Sequence, residues 1–222
     1  MTELRHSQVS TPRRNVLMVL QRLQYATADQ VAYWVSERSK SSIYELLTSL
    51  EQSGFILRHK AIQPHIFALT RKGYRITNAT APAGSRVESW SVMTHRCHRN
   101  LAEIRLREHY DTFQFSSRMD LYRYGFNPGH GEHLGIVDKS TRIFMLLDDY
   151  LFDSSRISHA WDRTHTPNRV HFERDKRVHK WSELATHYVI AVTDAAQYEI
   201  HKSYIHKHQI PQAAMLKVEA IW

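Results

Sequence analysis

The sequence predicts an α+β chain in two parts, and three observations predict it. Apolar residues recur at helical spacing from residue 11 to residue 52, the period becomes extended after Gly54, and a small polar stretch at 79–89 precedes a longer α/β pattern. The positive charge is divided at the same place. Residues 1–80 carry 11 Lys and Arg against 5 Asp and Glu, a balance of +6, whereas residues 81–222 carry 19 against 17. A basic excess confined to one segment points to a polyanionic partner; a diffuse excess would affect solubility.

The first helix is expected from Thr11-Pro12, with threonine as N-cap and proline at the first helical position. Val16, Leu17, Leu20 and Leu23 would face a core and leave Arg13, Arg14 and Arg22 in solvent. Thr27 is expected to cap a short helix from Ala28 to Val35. After a turn through Ser36–Ser39, a third helix from about Lys40 to Gln52 would bury Ile43, Leu46, Leu47 and Leu50 before the glycine cap at Ser53-Gly54. Phe55–Arg58 and Ile66–Leu69 read as a hairpin broken at Gln63-Pro64, and Thr70 can cap one more helical turn. Three helices followed by a two-stranded wing is the winged helix-turn-helix order, and "LTSLEQSGFI…FALTRKGY" resembles many winged-helix DNA-binding proteins. The domain assigned on this basis is 11–78, followed by a linker at 79–89 and an α/β domain at 90–222.

In a helix-turn-helix the second motif helix enters the major groove, so its first turns need short polar or cationic side chains. Here they are Arg38, Ser39, Lys40, Ser41, Ser42 and Tyr44. Arg58, His59, Lys60, Arg71 and Lys72 stand where a wing meets flanking backbone, and Arg13 and Arg14 would reach phosphate from the first helix. The expected partner is double-stranded DNA, bound by a homodimer that reads two half-sites.

In the second part, His95–Tyr110 reads as a helix. Phe113–Tyr124, Leu134–Val137 and Ile143–Leu147 read as strands, the last two joined by a turn at Asp138-Lys139-Ser140. Asp175–Thr186 and Ala195–His206 read as helices around a strand at Tyr188–Val192, and Ala213–Ala220 closes the pattern. Other classes lack their signals. No apolar run is long enough to span a membrane, no secretory signal begins the chain, one cysteine (Cys97) permits no internal disulfide, and no glycine-rich loop cradles a nucleotide. A cytoplasmic protein is expected. Histidine is concentrated in the second part, with 13 of the 16, so mild acid would charge that part most. The pairs His95/His98 and His130/His133 have metal-ligand spacings that a histidine-rich chain produces by chance.

The winged helix followed by "HRCHRNLAEIRL", a hairpin ending "RIFMLLDDY" and "DKRVHKWSELATHYVIAVTD" resembles the plasmid replication-relaxation family, which includes mobilisation relaxases. That resemblance implies a second domain like restriction-endonuclease folds, whose strand hairpin carries acidic ligands for Mg²⁺. The chain departs from the pattern. His133-Leu134-Gly135 replaces the Pro-Asp before the first hairpin strand, and Tyr150-Leu151 follows Asp148-Asp149 where lysine belongs. Asp148, Asp149, Asp138, Glu132 and Glu103 are the acids that would complete a site; the simpler role for Asp148-Asp149 is to end a buried strand in solvent. His206-Lys207-His208 near Tyr204 has the two-histidine spacing of a relaxase, with lysine in place of the apolar middle residue. The preferred reading is a site-specific DNA-binding protein of a mobile element, without cofactor. The alternative is a Mg²⁺-dependent nicking relaxase.

Overall fold

The computed structural model describes residues 9–35, 39–60, 63–79, 88–117, 121, 128–165, 187–210 and 213–220. The chain is a mixture of helices and two sheets, of the α+β class, in two compact units that divide between Asn100 and Leu101. Among the described residues no helix is long and apolar enough to cross a membrane.

The first unit begins with α1 (Thr11–Leu23), whose N-cap is Ser10, one residue before the expected cap, so that Pro12 occupies the second helical position. Val16, Leu17, Leu20 and Leu23 are its buried stripe. Three residues, β1 (Tyr25–Thr27), lead into α2 (Ala28–Trp34). A capping box closes the start of α2: Thr27 Oγ1 accepts from Gln30 N, and Gln30 Oε1 accepts from Thr27 N. Helix α3 (Lys40–Gln52) starts at Ser39, whose hydroxyl accepts from Ser42 N. It buries Ile43, Leu47 and Leu50, with Leu46 partly buried. Gly54 follows with φ +72°, the left-handed backbone that ends the helix. Strands β2 (Ile56–His59) and β3 (Ile66–Leu69) pair antiparallel, and Thr70 caps α4 (Arg71–Ile76).

The sequence reading missed β1. It pairs with β3, Tyr25 opposite Ala68 and Thr27 opposite Ile66, so the sheet order is β1-β3-β2. The unit also extends beyond the boundary expected near Trp90. Helix α5 (Trp90–His109) starts earlier than His95, and its first half belongs here: Met93 and Cys97 are buried against Ile66, with Tyr25 and Trp90 beside them. Gln30 Nε2 donates to Cys97 O at 2.7 Å, and Asn100 Nδ2 donates to Leu23 O and Tyr25 O. The linker assigned to 79–89 lies outside the described residues over 80–87.

The second unit is a five-stranded sheet in the order β4 (Gln114–Phe115), β5 (Glu132–Ile136), β6 (Arg142–Asp148), β7 (His187–Val192), β8 (Ala213–Lys217). The β4-β5-β6 half is antiparallel and the β6-β7-β8 half is parallel. Strands β6 and β7 are almost continuously buried, as strands covered on both faces must be. One face packs Ile143, Met145, Leu147, Val189 and Ala191 against Ala102 and Leu106 of α5. The other packs Phe144, Leu146, Tyr188, Ile190 and Val192 against Ile157 and Ala160 of α6 (Ser155–His165) and Tyr204 and Ile205 of α7 (Ala195–His208). Gly135 fits beneath the Phe113 ring, where a Cβ would lie 2.1 Å from a ring carbon. Helix α6 was not foreseen. The strand expected over Phe113–Tyr124 is two residues long where described, and the helix expected over Asp175–Thr186 lies outside the described residues.

Candidate functional site

Three helical turns of α3 present one arc to solvent, consisting of Lys40, Ser41, Tyr44, Glu45 and Gln52. The opposite side of the helix is consumed by the core, so this arc is the surface that α3 can offer to a partner. Tyr44 is 46% exposed. The Ser39 and Ser41 hydroxyls lie 3.0 Å apart, and Lys40 Nζ is 2.9 Å from Asp29 Oδ1 of α2. With one lysine and two glutamates, α3 carries a net charge of −1. The exposed arc itself carries one lysine and one glutamate among polar side chains. Arg38 lies outside the described residues.

Several cations assigned to DNA are engaged within the fold. Arg13 does not face solvent freely. Its Nη2 donates to Ser49 O at 3.0 Å and to the Ser49 and Ser53 hydroxyls at 2.8 Å each, joining α1 to the end of α3. Arg58 donates to Thr48 Oγ1 at 3.0 Å, pairs with Glu51 at 2.7 Å and lies over the Phe67 ring. Lys72 donates to Ser53 O at 2.8 Å and covers Phe55. Lys72 supplies a donor to a carbonyl beyond the last intrahelical bond of α3, whereas Ser49 O already accepts from Ser53 N, so Arg13 adds a cation at the negative end of the helix dipole. His59 is half-buried beside Tyr25, and burial holds its pKa below the ordinary value, so it is a neutral ring at pH 7.

Besides Lys40, which is 73% exposed beside Asp29, three of the assigned cations keep solvent-facing heads. Lys60 is 65% exposed and only 3.8 Å from Glu51, while Arg14 and Arg71 are exposed and make no ion pair among the described residues. Arg75, one turn beyond Arg71 on α4, is exposed as well. The sequence reading omitted it, although the i, i+4 spacing of the two arginines was legible.

The acids of the second unit are separated into different tasks. Asp148 ends β6 but does not emerge into solvent; it is buried. Its Oδ1 accepts from Tyr150 N at 3.3 Å and Phe152 N at 3.1 Å, and Leu151 between them takes a left-handed φ of 55°. Its Oδ2 lies 2.8 Å from Nε2 of His201 on α7. The other imidazole nitrogen, Nδ1, is 2.9 Å from Ser154 Oγ, and the Phe152 ring stacks on the imidazole. Donation of the Nε2 proton to Asp148 makes Nδ1 an acceptor for the serine, so the hydrogen-bond order is that of a serine–histidine–aspartate relay. The backbone donors beside Ser154 are already used. Ser155 N serves Asp153 Oδ1, Arg156 N serves Asp153 O, and Ile157 N serves Ser154 O, which leaves none of these for a developing oxyanion. The cluster ties the end of β6 to α6 and α7.

Asp149 is buried, with a carboxylate oxygen within 4.8 Å of a His130 ring nitrogen, and Glu132 Oε2 accepts from Gly129 N at 2.6 Å. Glu103 Oε1 accepts from Phe115 N. Asp138 shapes the β5–β6 turn, where Oδ1 accepts from Ser140 N, Ser140 Oγ and Thr141 N. Among the described residues of this unit, no three His, Cys, Asp or Glu ligand atoms lie within 4.8 Å of one another. Asp148 and Asp138 each spend an oxygen on the backbone donors of the turn that follows them. His206 and His208 stand on a helix, His208 stacked on Tyr204, rather than on a strand.

The Asp138 turn has a measurable signature. The Ser140 and Thr141 donors lower its pKa to about 2. A depressed carboxylate contributes stability at neutral pH that is lost as pH falls from the ordinary range through the folded value. An NMR titration should show Asp138 still ionised at pH 3; Ser140→Ala should move its midpoint upward.

His201 and Ser154 had no signal in the sequence, since they are 53 and 6 residues from Asp148 and belong to no local pattern. No family model matches the chain, and none of the curated proteins does.

Proposed function

We propose that the first unit is a winged helix-turn-helix that binds double-stranded DNA, with α3 in the major groove and the β2–β3 hairpin as the wing. The observation that carries this reading is the exposed polar arc of α3, set within the order of three helices and an antiparallel hairpin. The basic excess of residues 1–80 supports it, and Arg14, Lys60, Arg71 and Arg75 are its cations with solvent-facing heads. The chain then acts as a site-specific DNA-binding protein, working as a homodimer on paired half-sites.

The second unit is read as a scaffold related to restriction-endonuclease-like folds. Its helix, three antiparallel strands and two further parallel strands are the support. The hydrogen bonds that Asp148 and Asp138 accept from their own turns are the support for a binding role over nicking. Resemblance to the plasmid replication-relaxation family is the basis for the setting: a plasmid or other mobile element, in control of transcription, replication or mobilisation.

The test is the salt dependence of duplex binding. Each phosphate contact contributes about one unit to the slope of log K against log salt. Arg14→Ala with Arg71→Ala should reduce the slope by about 2 and weaken binding equally across sequences. An unchanged slope, or a wild-type chain without duplex affinity, overturns the reading.

A further inference from the structure

We propose that Glu45 is a specificity-determining residue that accepts a hydrogen bond from a cytosine amino group in the major groove and disfavours duplexes lacking that cytosine. This rests on the reading of α3 as the groove helix. Three observations lead to it. The charge on α3 is −1, Lys40 is already matched by Asp29, and Glu45 is an exposed acid with no partner among the described residues. Glu51, the other acid of the helix, is engaged by Arg58 and Lys60.

A carboxylate brought against DNA loses water and meets the field of the phosphates, so it weakens binding wherever no donor replaces that water. Two bases place a donor in the major groove. Adenine N6 stands beside the N7 acceptor, whose lone pair repels a carboxylate, whereas cytosine N4 has no acceptor beside it on that edge. Glu45 therefore fits cytosine and penalises the alternatives, which is how discrimination by a repulsive element works.

Two nearby hydroxyls of α3 are already engaged within the fold. The Ser41 hydroxyl is shared with Ser39, and Thr48 Oγ1 accepts from Arg58. Tyr44, adjacent to Glu45, adds an exposed ring and hydroxyl suited to a thymine methyl or a phosphate. The labour is divided accordingly: Arg14, Lys60 and Arg71 attract any duplex, and α3, being acidic, selects among them.

The full-length chain and its Glu45→Ala and Glu45→Gln variants should be selected against a randomised duplex pool, followed by affinity measurements on the winning site and its single-base variants. The wild type should require C·G at one position, by about tenfold or more over the other pairs. Glu45→Ala should lose that requirement and bind random duplex more tightly. Glu45→Gln should move the preference at the same position toward A·T, because a carboxamide matches both groups on the adenine edge. If both variants keep the wild-type preference at every position, including the case of a uniform gain on all sequences, the assignment of Glu45 is overturned. A wild type that binds no duplex overturns the groove reading itself, and this appears before any substitution is made.

Discussion

Asp148→Ala should lower the unfolding free energy of the second unit by about 3–5 kcal/mol, the cost of removing one member of a buried ion or hydrogen-bonded pair. The Asp148 and His201 side chains are both fully buried. Truncation leaves His201 without its acceptor and the Tyr150 and Phe152 N–H groups without theirs. The Phe152 ring that stacks on His201 then loses the turn that holds it. Ser154→Ala removes a single half-buried hydrogen bond and should cost only about 1 kcal/mol. Urea unfolding followed by tryptophan fluorescence and circular dichroism would measure both. A carboxylate kept for metal chemistry gives the reverse pattern, with unfolding midpoints unchanged and a reaction lost. If Asp148→Ala unfolds at the wild-type urea concentration, the structural role assigned to the cluster is wrong.

A fragment of residues 9–79 should fail to fold cooperatively, while one of residues 9–109 should fold. The shorter piece contains every element of the expected winged helix, yet it lacks the surface that covers Ile66. That residue is fully buried against Met93 and Cys97. Exposing one large aliphatic side chain costs about 1.5–3 kcal/mol, and each polar group buried without its partner costs about 1–3 kcal/mol. Loss of Cys97 O and of the Asn100 amide leaves three groups, Gln30 Nε2, Leu23 O and Tyr25 O, without those partners. The total is comparable with the roughly 5–15 kcal/mol that holds an ordinary domain together. A sharp urea transition in the 9–79 fragment would show that residues 90–100 are dispensable to the unit.

The elements that were legible in the sequence share a property. Helix α3 runs from Lys40 to Gln52 as its pattern indicated, because everything that delimits it is local: the Ser39 hydroxyl, the spacing of Ile43, Leu47 and Leu50, and Gly54. The Thr27 and Thr70 caps were legible for the same reason. Strand β1 was not. Three residues cannot show an alternation, and Tyr25–Thr27 is a strand only because β3 offers its edge. Arg13 looked like a solvent cation because a charge run usually is one; its partners are 36 and 40 residues away.

The sequence by itself determined helices α1 to α4 and the β2–β3 hairpin of the first unit, the concentration of positive charge in its first 80 residues, and the face that α3 buries. These follow from periodicity, caps and composition, which act over a few residues. Only the tertiary structure decided which charges the exposed arc of α3 and its flanks can use. It placed Arg13, Arg58 and Lys72 on helix ends and internal acids, left Glu45 exposed, and turned Asp148 inward to His201. The physical reason is that a polar side chain bonds whichever donor or acceptor the fold brings near, and for these residues that partner was distant in the chain or fixed by a turn.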